Sequence, residues 1–255
     1  MFFLQCCFKS AVLKKACMMN LLVPQEKPGH TPYRVLYLLH GLSDDHSAWQ
    51  RRTSIERYVE SSNVLVVMPD GGRSFYVDAH NHYGNYWTFL SEELPDLIAG
   101  AFPVSTKRED TFAMGLSMGG YGALKLALKQ PERFGAAVGL SSVADIISRV
   151  HRGEKDISNS IGSELRGLFG SDEQIRQDNN DLFALAEHCA TLPSPPRIKM
   201  LVGTEDALRE DNRHLRDHFQ ALHYPNYEYS EAPGNHNWVF WDAHFCESFQ
   251  FLLGE

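Results

Sequence analysis

Ser117, Asp206 and His236 are the residues whose types and order could carry one chemistry, attack on an acyl group by a hydroxyl. A serine hydroxyl is a weak nucleophile until a base takes its proton, and the base needs a third group to fix its tautomer. Ser117 stands in Gly115-Leu116-Ser117-Met118-Gly119, a G-x-S-x-G run followed directly by Gly120. The apolar Phe112-Ala113-Met114 before it reads as the end of a buried strand. Leu124, Ala127 and Leu128 after it recur at helical spacing until Gln130 meets Pro131. Strand, glycine-flanked serine and helix are the context of a nucleophile elbow. Such a turn brings segments too close for side chains beside the serine, and glycine removes that clash. It also presents the hydroxyl at a helix N-terminus, where free N–H groups favour developing negative charge.

The acid and the base follow in the chain order Ser, acid, His that this motif predicts. Asp206 ends Gly203-Thr204-Glu205-Asp206 after an expected strand, and His236 lies in a loop before the last expected helix. Glu205 should point to the opposite side, and Asp211 falls in the next helix. Of the 12 histidines, His223 and His244 are the other late ones. His223 precedes Tyr224-Pro225 and reads as a turn, whereas His244 falls inside the closing helix and reads as packing. A tetrahedral intermediate also needs two N–H donors for its oxyanion. Met118, directly after the nucleophile, supplies one; Leu42, in His40-Gly41-Leu42-Ser43, is the expected second, with Ser43 close behind. Trp49, Trp87 and Trp238 are candidate pocket walls, although buried aromatics more often serve the core. His80-x-His82 and Asp44-Asp45-His46 offer ligand atoms without any diagnostic metal spacing, so no metal is expected.

The elements that must position these residues alternate. An antiparallel strand pair, Phe2–Ser10 and Lys15–Val23, opens the chain, and a Pro- and Gly-rich loop spans 24–33. Arg34–Leu39, then 63–68, 134–140 and 198–202, are short continuous apolar runs, as in strands buried on both faces of a parallel sheet. Helices are expected over 44–58, 91–102, after Ser117, over 208–222 and over 238–253, with a last strand at 227–230. The aromatic and polar run 75–87 lacks periodicity and reads as a structured loop. Residues 145–196 change character, charged and polar with weak helical stretches, and are expected as an insertion over the C-terminal edge of the sheet, a cap. Together these give one α/β domain over 1–255 with a mostly parallel sheet and right-handed crossovers.

Composition bounds the rest. A formal charge of -8 argues against a phosphate backbone as partner. No apolar run approaches the length of a membrane span. The N-terminal stretch lacks a basic region before its apolar part and is interrupted by Lys9, Lys14 and Lys15, unlike a signal peptide. Five cysteines without C-x-x-C spacing read as reduced thiols, so a cytoplasmic location is expected. Homo-oligomerisation is left open.

LLHGLSDDHSAW, WQRRTSIERY, VVMPDGG, SEELP, GLSMGGYGALKLAL, GTEDAL and GNHNW together resemble the tributyrin-esterase branch of the putative esterase family. That family also holds esterase D (S-formylglutathione hydrolase) and the antigen 85 mycolyltransferases. The resemblance runs from the N-terminal strands to the last helix and is weakest over 145–196. It implies an α/β-hydrolase fold and a serine carboxylesterase for short acyl esters, with no cofactor and a small-molecule acyl ester as partner. By the same resemblance Ser117 is the nucleophile, Asp206 the acid and His236 the base. GGRSFYVDAHNHYGNYW departs from the family pattern beside the site and leaves substrate preference open. Thioester hydrolysis or acyl transfer on the same residues is the alternative, and a catalytically silent binding protein on a hydrolase scaffold is a third.

Overall fold

A computed structural model describes residues 1–25, 32–155 and 161–254. Most of the loop expected at 24–33, and 156–160 of the expected insertion, therefore lie outside the described residues. Eight strands form one sheet: β1 Phe2–Ser10, β2 Lys15–Val23, β3 Arg34–Leu39, β4 Val64–Pro69, β5 Thr111–Leu116, β6 Ala136–Leu140, β7 Arg197–Gly203 and β8 Tyr227–Ala232. Their order across the sheet is β1-β2-β4-β3-β5-β6-β7-β8. The β1–β2 and β2–β4 pairs are antiparallel, and every pair from β4 to β8 is parallel. The chain leaves β3 to form β4 on one side and then crosses to form β5 on the other. A crevice opens outside the carboxyl ends of strands where the order reverses in this way. Here it opens between the ends of β3 and β5.

Burial follows from that layering. Val64, Val66 and Met68 of β4, with Phe112, Met114 and Leu116 of β5, face one core; Leu65, Val67 and Ala113 face the other. Alternate residues enter opposite cores, so the strands read as unbroken apolar runs. The first core contains Trp49, Ile55, Val59, Trp241, Phe245 and Phe249; the second holds Leu124, Leu128, Leu185, Leu215 and Phe219. Helices thus cover both faces of a mostly parallel sheet, the α/β-hydrolase architecture that the resemblance implied.

Three elements differ from expectation. The helix expected at 44–58 is two short ones, Ala48–Arg52 and Ile55–Val59, because Thr53 is extended and its hydroxyl bonds back to Trp49 O (2.6 Å). Likewise the closing helix is Trp238–Ala243 and Phe245–Leu253, broken at His244. His244 packs on Phe240, as packing was expected of it, but sits at the break rather than within a helix, with Nδ1 2.9 Å from Glu247. Between β6 and β7 the weak helical signals resolve into Ile146–Lys155, Ile161–Phe169, Asp172–Gln177 and Leu182–Ala190. The last of these buries Leu182, Leu185, Ala186 and Cys189 in the sheet core and packs on the helix Met118–Lys129. The end of the expected insertion is therefore part of the layer over the sheet.

Candidate active site

Ser117 is the single residue between β5 and the helix Met118–Lys129, at φ 54° and ψ −117°. A non-glycine residue there is strained, and it persists only where its surroundings over-determine it. They do so here: Ser117 N–H donates to Leu140 O (2.9 Å), and its carbonyl accepts from Tyr121 (3.1 Å) and Val143 (3.2 Å). The flanking glycines are required by proximity. A Cβ on Gly115 would lie 2.3 Å from Gly119 O, and one on Gly119 would lie 2.3 Å from Leu39 O. The strand ends and the helix start therefore touch backbone to backbone, with the hydroxyl presented to the crevice.

The parallel strands β7 and β8 bring the other two groups to the same end of the sheet. After β7, Asp206 turns back to donate its N–H to Gly203 O, while its Oδ1 accepts from Leu208 N–H (2.8 Å). After β8, His236 stands in the loop before the helix Trp238–Ala243, which Asn237 caps by accepting from Phe240 N–H. His236 Nδ1 lies 2.9 and 3.1 Å from the two Asp206 carboxylate oxygens, and Nε2 lies 3.0 Å from Ser117 Oγ. Asp206 accepts, so Nδ1 carries the proton and Nε2 is left with a lone pair facing the hydroxyl. The Asp206 side chain is 0% exposed and that of His236 31%, so the carboxylate is dry and the imidazole open to the crevice. Burial pushes the Asp206 carboxyl up, but the hydrogen bond and charge of His236, with Leu208 N–H and Ser141, outweigh it, and the net shift is downward. The group is thereby held as a carboxylate. The imidazole is also gripped edge-on by Trp241 at 5.0 Å, whose indole N–H is tied to Ser141 Oγ.

The loop after β3 completes the crevice. His40 is buried; its Nδ1–H donates to Gly41 O (2.7 Å), and its Nε2 accepts from Gly71 N–H (2.8 Å). Tyr76 donates its hydroxyl to His40 O (3.0 Å), tying the aromatic loop to the same turn. Leu42 lines the cavity that contains Ser117 and His236. That cavity has a volume of about 190 Å³, with Leu42, Phe75, Val143, Ile161 and Leu208 as apolar walls and Arg149 as its cationic one.

The three expected tryptophans do not line it. Trp49 is buried in the core on the far face of the sheet, its N–H on Leu39 O (3.1 Å) and its ring edge-on to Trp238 at 5.1 Å. Trp238 packs on that same core. Trp87 carries Lys125 and Lys129 at 4.6 Å from its ring centre, in a separate polar cleft. Two of the indoles were drawn to the far core and the third to the polar cleft, and other side chains took the walls. Phe75, Val143, Arg149, Ile161 and Leu208 were missed because they come from separate segments, and even Leu208, inside GTEDAL, has no spacing that marks it as a wall. The rival residues lie elsewhere: Glu205 is exposed and accepts from Gly234 N–H, Asp211 pairs with Arg152, and His223 occupies a turn at φ 48°. His80 bonds Asp178 (2.8 Å), and Asp45 bonds Ser47.

The family described as "Putative esterase" matches residues 10–252. An acetyl esterase of Caldicellulosiruptor saccharolyticus is 32% identical over 258 residues, covering 96% of this chain and 96% of that one. Among solved structures, a fluorophosphonate-binding serine hydrolase of Staphylococcus aureus, FphF, superposes with a TM-score of 0.86 at 27% identity, over 100% of this chain and 99% of its own. S-formylglutathione hydrolase (FrmB) from the same organism gives 0.84 at 28% identity, over 99% and 98%. The chain thus belongs to the Putative esterase family, as a serine carboxylic ester hydrolase on an α/β-hydrolase fold.

Proposed function

We propose that this protein hydrolyses short-chain acyl esters, acetyl to butyryl in size, through an acyl-enzyme on Ser117. The observation that carries this reading is the unbroken hydrogen-bond path from Asp206 through His236 to Ser117 Oγ. His236 Nε2 takes the hydroxyl proton as Oγ bonds to the acyl carbon, and the carbonyl π electrons move onto its oxygen. When that oxyanion collapses, the bond to the leaving alkoxide breaks and the Nε2 proton goes to the alcohol. Water then repeats the sequence: it gives a proton to Nε2, attacks the acyl carbon and expels Ser117, which recovers that proton. Asp206 stays ionised throughout and holds the imidazolium in place. The N–H groups of Met118 and Leu42 are the proposed oxyanion donors. Among the described residues neither donates to a protein acceptor, and Met118 opens a helix, where the dipole adds to its N–H. The helices between β6 and β7 that reach the cavity act as its cap in this reading.

The cavity supports the size limit. At about 190 Å³ it matches roughly six waters' worth of volume and falls below the roughly 300–1,000 Å³ of sites for drug-sized ligands. The likeness to an S-formylglutathione hydrolase favours one second reading, thioester hydrolysis on the same residues. A 4-nitrophenyl ester series from acetate to octanoate, alongside S-formylglutathione, tests both with wild type and Ser117→Ala. Rates that fall with chain length and collapse in the variant are expected, leaving at most about 10³–10⁴ over water. Full activity of Ser117→Ala would overturn the assignment, and a preference for the thioester would establish the second reading.

A further inference from the structure

Arg149 is the cationic wall of the Ser117 cavity, and the mechanism does not use it. Among the described residues its guanidinium has no hydrogen-bond or ion-pair partner, only a backbone bond from its N–H to Asp145 O. The neighbouring charges are spent on each other. The carboxylate oxygens of Asp145 accept from Ser148 N–H (2.9 Å) and Oγ (2.7 Å); Arg152 pairs with Asp211; Arg166 pairs with Glu154 and Asp172. Arg149 is half-buried, and the cavity walls beside it are otherwise apolar apart from the Ser117–His236 pair. An unpaired guanidinium in such a place carries a desolvation cost that an incoming anion would offset, and its planar fork matches a carboxylate in two parallel hydrogen bonds. With a formal charge of -8, the chain as a whole repels anions, so a local cation at the reacting serine sets the sign of what is admitted.

We propose that Arg149 is the specificity residue of this site and that its substrate is an ester or thioester bearing a carboxylate within a few bonds of the acyl carbon. This rests on the reading of Ser117 as nucleophile. The carboxylate can sit on the acyl side or on the leaving group, and the two sources are separable. Succinate mono(4-nitrophenyl) ester places the charge on the acyl side, with 4-nitrophenyl butyrate as its neutral match. For the leaving group, 4-acetoxybenzoate pairs with its neutral amide, 4-acetoxybenzamide.

The readout is kcat/KM of Arg149→Met against wild type for each member of a pair, so that intrinsic leaving-group reactivity cancels. On one pair, the loss for the anionic ester is expected to exceed the loss for its neutral match by about 10- to 100-fold, the range of a charge-assisted hydrogen bond. The pair that shows it identifies the source of the charge. Arg149→Lys should recover part of the difference, and Arg149→Glu should enlarge it, which separates charge recognition from a general loss of fold. Equal losses within both pairs overturn the proposal while leaving the esterase reading intact. Should wild type hydrolyse no ester, the proposed function is what fails. Calorimetric titration with glutarate then decides on Arg149: binding to wild type that Arg149→Met abolishes supports the anion site, and absent or equal binding overturns it.

Discussion

Asp206 shows what a single side chain contributes when its surroundings are fixed. Its carboxylate accepts from both Leu208 N–H and His236 Nδ1–H, so it is ionised and cannot rotate away. Replacing it by Asn leaves the shape but allows the amide N–H₂ to face Nδ1, which favours the tautomer with Nε2 protonated. That tautomer cannot take the Ser117 proton. Asp206→Asn is therefore expected to lower kcat on a short ester by up to about 10⁴, with a much smaller change in KM. An unchanged kcat would move the acid to another carboxylate. The meeting of Ser117, Asp206 and His236 was legible in the sequence because each follows a recognisable strand, in the chain order of the motif. Arg149 was not legible. It has no motif, and only the turn of Ile146–Lys155 over the crevice brings it to the cavity.

The elbow is the element on which the site depends, and its tolerance can be stated residue by residue. A Cβ on Gly119 would meet Leu39 O at 2.3 Å and His40 O at 2.6 Å, both backbone atoms at the end of β3. Gly119→Ala must push the helix from the strand, and the loop after β3 moves with it. A loss of about 1–3 kcal/mol is expected, hence roughly 2–12 °C in Tm, together with a loss of ester turnover. Gly100, in the helix Leu94–Ala101, has no positive φ, and a Cβ added there would meet nothing within 4 Å. Gly100→Ala should raise stability by about 0.5–1 kcal/mol through backbone entropy. Thermal unfolding of the two variants side by side checks the argument, and equal shifts would refute it. The sequence showed the need for glycine at 115 and 119, whereas the breaks at Thr53 and His244 escaped notice because the apolar spacing continues across them.

At the scale of the molecule, Lys125 links three segments far apart in the chain. Its buried Nζ donates to Tyr76 O (2.8 Å) in the aromatic loop and to Asn180 Oδ1 (3.1 Å) beyond β6, from the helix Met118–Lys129 that follows Ser117. The rings of Trp87 and Tyr121, at 4.6 and 5.2 Å, favour the ammonium form. Burial acts in the opposite direction and more strongly, with Lys129 adding to it, so the amine titrates well below its ordinary 10.5. Between the folded and unfolded values the unfolded chain holds a proton that the folded chain has shed, and stability rises with pH through that window. The stability difference between wild type and Lys125→Met, measured by urea unfolding, is expected to widen from pH 7 toward 10, by at most about 1.4 kcal/mol per pH unit. A flat or narrowing difference would mean that the ammonium persists inside.

By itself the sequence determined the strand runs, the elbow and the order of Ser117, Asp206 and His236. Each of these is a local consequence of period, sterics or chain order: a strand buried on both faces must be apolar throughout, and a turn this close must be glycine. What lines the cavity was decided only in three dimensions. Its walls come from the loop after β3, the aromatic loop, and the segments that follow β6 and β7, and no spacing along the chain encodes their meeting. The tryptophans went to the far core and to the cleft beside Lys129, and Arg149 was left lining the same cavity as Ser117, because competition among all side chains for burial is settled over the whole packed molecule at once.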